Sequence, residues 1–107
     1  MERDFFNKKI GTCKFREWNC DVLLQQYVNG RKALELVDSD GGEPIAMASV
    51  NLPDRELESD EVFIKDYSEN GGILASLMEA GIVSSPLGIV RSGFVQVPRC
   101  KLLKGIN

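Results

Sequence analysis

The chain contains no histidine at any of its 107 positions. That absence removes the commonest general base, the commonest zinc ligand and the usual partner of a nucleophilic serine or cysteine. Cysteine is scarce too. Cys13, Cys20 and Cys100 are odd in number and sparse, which argues against a disulfide framework. Their spacing fits no zinc knuckle, so reduced thiols behaving as small apolar side chains are expected. No stretch approaches the ~18 apolar residues of a membrane span. The segment from Met1 to Lys9 carries basic residues but no apolar run behind them, so no signal peptide is expected.

Ordered ligand and phosphate motifs are missing as well. Ser68-Glu69-Asn70-Gly71-Gly72 could expose backbone N–H groups to an anion. It matches neither the phosphate loop nor the dinucleotide fingerprint, and Asp66 and Glu69 would repel phosphate. It reads as a turn from strand to helix. Asp38-Ser39-Asp40-Gly41 opens like a calcium loop, but its ninth to twelfth positions fall on Ala46 to Ser49, without the terminal Glu. Glu56, Glu58, Asp60 and Glu61 could supply a hydrolase pair or a hard-metal site, yet no spacing orders them. The expectation is a protein that is not an enzyme, with no catalytic residues, no cofactor and no metal.

What is present is ordinary globular material: 43% hydrophobic and 27% charged residues in a length typical of one domain. The chain is expected to be soluble, a single α+β domain over residues 1–107, with residues 1–11 a loose arm or short helix. Cys13 to Trp18 alternates like a strand. Asn29-Gly30, flanked by Asp21 to Val28 and Arg31 to Val37, predicts a hairpin with a type I′ turn. The turn Asp38 to Pro44 leads to a third strand from Ile45 to Leu52, closed by Pro53. Glu61 to Asp66 reads as a fourth strand.

One helix is expected over about 70–80, where Ile73, Leu74, Leu77 and Met78 make an apolar stripe. Ser68 or Asn70 would cap its start, and Gly81 would take the left-handed position after its end. Gly93 to Val97 reads as a closing strand, with Pro98 at an edge or end. The architecture expected is a mostly antiparallel sheet of four to six strands with one helix packed on one face.

Charge is unevenly distributed. From Glu35 to Glu79 twelve acids face only Arg55 and Lys65, a net charge of −10, while the first 34 residues carry +3 and the tail from Ala80 carries +4 without a single acid. Crowded carboxylates can be a merely solvated surface. They can also offer an acidic face to a basic partner and steer its approach. Asp54, Glu56, Glu58, Asp60, Glu61, Asp66 and Glu69 are the candidate contacts. The partner expected is a basic host protein, a nucleic-acid-binding component whose groove an acidic domain could occupy in place of phosphates. The alternative is an accessory nucleic-acid-binding domain, using Trp18 and Tyr27 with Lys14, Arg16, Arg31 and Lys32 to stack bases and hold phosphates. Its sheet lacks the RNA-binding signatures, and the net charge of −3 is the wrong sign.

Several strings carry a family resemblance: Asn29-Gly30-Arg31-Lys32-Ala33-Leu34-Glu35-Leu36, Val50-Asn51-Leu52-Pro53, Glu61 through Asn70, Ala80-Gly81-Ile82-Val83 and Ser92-Gly93-Phe94-Val95. They resemble a family of short uncharacterised proteins encoded on phages and mobile elements of bacteria, over about residues 14–103. The family has no known activity, so the resemblance assigns no residue a role. It implies a setting in the bacterial cytoplasm, where small acidic proteins of such elements include anti-CRISPR and antirestriction inhibitors of host defence.

Overall fold

The computed structural model describes residues 7–105, and among them form seven strands, one α-helix and a 3₁₀ turn. β1 (Lys8–Phe15), β2 (Trp18–Gln26), β3 (Lys32–Asp38) and β4 (Pro44–Met47) make an antiparallel sheet in that order. β5 (Glu61–Phe63), β6 (Gly88–Ser92) and β7 (Val95–Lys101) make a second antiparallel sheet in the order β5-β7-β6. The class is α+β, as the sequence predicts, with the strands divided between two sheets. The segment after β4 joins them. Ala48 N–H donates to Leu34 O at 2.8 Å, Val50 N–H donates to Phe63 O at 3.0 Å, and Ser49 bridges to Ile64.

Period-2 patterning decides what the first sheet buries. Cys20, Val22 and Leu24 alternate along β2, and the register sets Cys13 opposite Cys20, Leu36 opposite Val22 and Leu34 opposite Leu24. All six are buried in one cluster. Across it lie Ile73 and Leu77 from α1 (Ile73–Glu79), with Ile82, Val83, Cys100 and Leu102 behind them. Each fully buried aliphatic side chain contributes roughly 1.5–3 kcal/mol of transfer free energy. Phe63 and Val97 are buried outside this cluster. The ladder puts them on the opposite face of the second sheet, beside Arg99.

The helix ends follow backbone hydrogen-bond accounting. Neither Ser68 nor Asn70 caps the start. Asp66 Oδ1 accepts the N–H groups of Gly72 at 3.0 Å and Leu74 at 3.1 Å, while the buried Asn70 donates its amide to Met47 O. At the other end Gly81 has φ 73°, its N–H donates to Met78 O at 3.0 Å, and Ile82 N–H donates to Leu77 O at 2.9 Å. That pair of bonds is a Schellman motif, with buried Ile82 beyond it. The predicted stripe loses one member. Met78 is 38% exposed, because it lies ~100° round the helix from Leu77 and a two-turn helix covers only one narrow seam.

Five other expectations give way. Lys8 to Gly11 belong to β1 and not to an arm or helix, and residues 1–6 lie outside the described residues. The strand expected from Cys13 to Trp18 is a hairpin, since Phe15 pairs with Trp18 across Arg16-Glu17. Arg16 takes φ 58° without a glycine to advertise the turn. The Asn29-Gly30 hairpin exists, but its loop is Val28-Asn29-Gly30 with positive φ only at Gly30 (89°). Gly30 N–H donates to Tyr27 O and Tyr27 N–H to Arg31 O, the three-residue form in place of type I′. β4 stops at Met47, not Leu52, because the chain there leaves β3 to bridge the second sheet. Gly93-Phe94 is a two-residue turn joining β6 to β7, and Pro98 sits inside β7, the central strand. Its carbonyl accepts Ile64 N–H at 3.0 Å just past the end of β5, where a missing donor breaks no ladder bond.

Ser68 has φ 56° and opens the 3₁₀ turn. A side chain there is strained by about 1–2 kcal/mol. Ser68→Gly should therefore leave the fold intact and raise stability by about 0.5–1 kcal/mol in denaturant unfolding, net of glycine's extra unfolded-state entropy.

Candidate functional site

Asp54, Glu56, Glu58 and Asp60 lie in the connection between β4 and β5, and two arginines hold this loop. Arg31 donates to Leu52 O at 2.8 Å and to Arg55 O at 2.6 Å. Arg55 in turn donates to Arg91 O on β6. Asn29 donates to Asn51 Oδ1 at 3.2 Å. Both guanidinium groups are engaged by backbone carbonyls. Asp54, Glu56 and Glu58 are exposed, and among the described residues they form no ion pair.

The other candidates are placed differently. Asp60 is half-buried and meets Lys101 Nζ at 3.6 Å. Glu61 is buried, 8% exposed; it accepts Arg99 Nη1 at 3.0 Å and Glu58 N–H at 3.1 Å. Asp66 caps α1 through its two N–H contacts. Glu69 is exposed and pairs with Lys65 at 3.0 Å. Its own backbone N–H and then Lys65 hold its carboxyl below the ordinary 4.5. Glu61 and Asp66 thus support the fold, and the loop's free charge is concentrated in Asp54, Glu56 and Glu58. Sequence distance hides this sorting, since Arg99 lies 38 residues from Glu61.

Two shallow cavities flank the loop. One, of about 290 Å³, is lined by Glu56, Leu57, Glu58, Glu61 and Arg99. The other, of about 260 Å³, lies toward the β2–β3 hairpin between Arg31, Lys32, Glu58 and Ser59. Both fall below the usual 300–1,000 Å³ of small-molecule and cofactor sites. The first sets Glu56 and Glu58 beside the Glu61–Arg99 ion pair. Among the described residues no three His, Cys, Asp or Glu side chains gather as a metal site. Among the same residues no helix is long and apolar enough to cross a membrane.

The aromatic-plus-basic set is not brought together. Trp18 begins β2 and Tyr27 follows its end, so they stand ~30 Å apart along a strand rising ~3.3 Å per residue. Arg16 stacks on Phe15 at 4.7 Å and donates to Gly71 O. The Tyr27 hydroxyl lies 2.7 Å from Ser49 Oγ, which also accepts Leu34 N–H. Burial raises the Tyr27 pKa above the ordinary 10, against the lowering effect of that hydroxyl contact. One aromatic helps to anchor the sheet junction, and the other is exposed beside the Arg16-Glu17 turn.

All three thiols are free and buried. Burial pushes Cys13 and Cys100 from the ordinary 9.0 up to about 11, with the neighbouring Cys20 adding to the effect at Cys13. Their neutral form is preferred in the folded state, so this contribution to stability is complete below pH 9 and is lost as pH rises toward 11. Native protein at pH 8 should react with a thiol-specific chromogenic disulfide reagent far more slowly than the unfolded chain, because the thiolate is the nucleophile. Equal rates would place the thiols at the surface.

Compared with family models, curated proteins and solved structures, the chain shows no significant match to any of them.

Proposed function

We propose that this chain is a non-enzymatic binding protein whose acidic loop enters the basic groove of a nucleic-acid-targeting host complex. It acts there as a phosphate-mimicking inhibitor of the anti-CRISPR or antirestriction type, carried by a phage or mobile element. One observation carries the reading. Asp54, Glu56 and Glu58 are exposed and form no ion pair among the described residues, on a loop fixed by the engagement of Arg31 and Arg55 with backbone carbonyls. Like charges held close together slightly oppose folding, and packing does not require them. Their position beside a cavity of side-chain size suits recognition of Arg or Lys, and preorganisation lowers the entropy cost of binding.

Affinity capture from a bacterial lysate, followed by displacement with nucleic acid, tests this function. A captured protein that binds nucleic acid and loses that binding when the purified chain is added supports it. A captured complex that keeps its nucleic acid and its nuclease activity at saturating chain contradicts inhibition.

A further inference from the structure

Sheet edges invite pairing with other chains, and natural proteins usually blunt them. β1 carries Lys8, Lys9 and Lys14 along its length and a bulge between Lys9 and Gly11. β4 has four residues and begins with Pro44. The outer side of β5 is occupied by Ser49 and Val50. β6 differs. It ends the order β5-β7-β6, and among the described residues no strand pairs with its outer side. Ile89 stands there 58% exposed.

The ladder fixes which groups this edge presents. Ser92 and Val95 flank a two-residue turn and so form a hydrogen-bonded pair. Alternation makes Val90 and Val97 the next such pair, which turns the N–H and C=O of Ile89 and the N–H of Arg91 outward. The Arg91 carbonyl already accepts Arg55. We propose that β6 is a self-association edge, at which two copies pair antiparallel about a two-fold axis through Ile89 and extend each three-stranded sheet into one of six strands.

The edge is self-complementary in charge along its length and in hydrogen bonds at Ile89; Leu87 N–H already donates to Arg99 O at 2.7 Å, as the Arg91 carbonyl accepts Arg55. On the axis, the N–H and C=O of Ile89 meet those of the second Ile89. Arg91 falls opposite the partner's Leu87, which is 51% exposed, so the two Arg91 cations do not face each other. On the sheet face covered by the β4–β5 loop, Arg55 stands at the Arg91 end of the strand. Glu56, Glu58 and Glu61 surround Arg99 at the Gly88 end. A two-fold axis brings each cationic end to the other copy's acidic end, as an isologous contact requires. This pairing does not rest on the inhibitory reading above.

Sedimentation of the protein alone over a concentration series, with hydrogen exchange at each concentration, tests it. The expected result is a monomer–dimer equilibrium in which the Ile89 and Arg91 amides exchange more slowly as dimer accumulates, while the Val28 amide does not. Ile89→Lys, which places a charge on an exposed edge, should remove the dimer. Val28→Lys, at an even more exposed apolar position on a hairpin loop, should leave it unchanged. A wild-type monomer at every concentration, a dimer with unprotected Ile89, or an Ile89→Lys variant that still dimerises would each overturn the proposal. The exchange readout uses the unmutated chain, so it does not depend on how the variants fold.

Discussion

Leu77→Ala should lower the unfolding free energy by about 2–5 kcal/mol, the transfer term plus the cavity left behind. Leu77 is fully buried in α1, in one cluster with Ile73, Ile82 and Leu102. A seven-residue helix has little intrinsic stability and depends on this packing. Met78→Ala is the matched control. Met78 is partly exposed and should change stability by no more than about 0.5 kcal/mol. Chemical denaturation of both variants checks the pair. Equal losses would mean that the helix packs through a broader face than the one described.

Arg99→Met should cost about 1–3 kcal/mol, the scale of leaving a mostly buried polar partner unsatisfied. Glu61 lies at the start of β5 with its side chain 9% exposed, and Arg99 is its only ion-pair partner among the described residues. Arg99 itself is 30% exposed, which keeps the figure below that of a fully buried pair. Glu61→Gln on the Arg99→Met background should recover part of the loss, because it removes the uncompensated charge and keeps the hydrogen bond from Glu58 N–H. A double-mutant cycle in denaturant measures this. Additive losses would show that the two side chains are not coupled.

How far the sequence could be read follows from the range of the interactions involved. The Asn29-Gly30 hairpin, the helix near 73–79 and the left-handed Gly81 all depend on residues a few positions apart, and each was legible. The division into two sheets was not, because it rests on Ser49 meeting Ile64 and on β7 lying between β5 and β6. The turn at Arg16-Glu17 contains no glycine, proline or asparagine. The buried positions shift there from odd (Cys13, Phe15) to even (Cys20, Val22, Leu24), and only that change of phase marks the turn. Gly93-Phe94 misled in the opposite way, as an aromatic followed by valine suits a strand as well as a turn. The acidic middle was visible as composition. The engagement of Glu61 with Arg99, and of Asp66 with the helix N–H groups, appeared only once the fold joined distant segments.

The central claim is that Asp54, Glu56 and Glu58 contact a basic partner. Reversing these three to Lys tests it most directly, with Asp60 left in place because it meets Lys101. Each exposed change should alter stability by no more than about 0.5 kcal/mol. Affinity for the captured partner is then measured across a salt series for both proteins. Wild-type affinity should fall as salt rises, since exposed charges are screened over ~10 Å at 0.1 M. The triple reversal should bind at least about tenfold more weakly at low salt, mainly through a slower association rate. Equal affinities and a flat salt dependence would contradict the claim and leave the acidic loop a solvated surface.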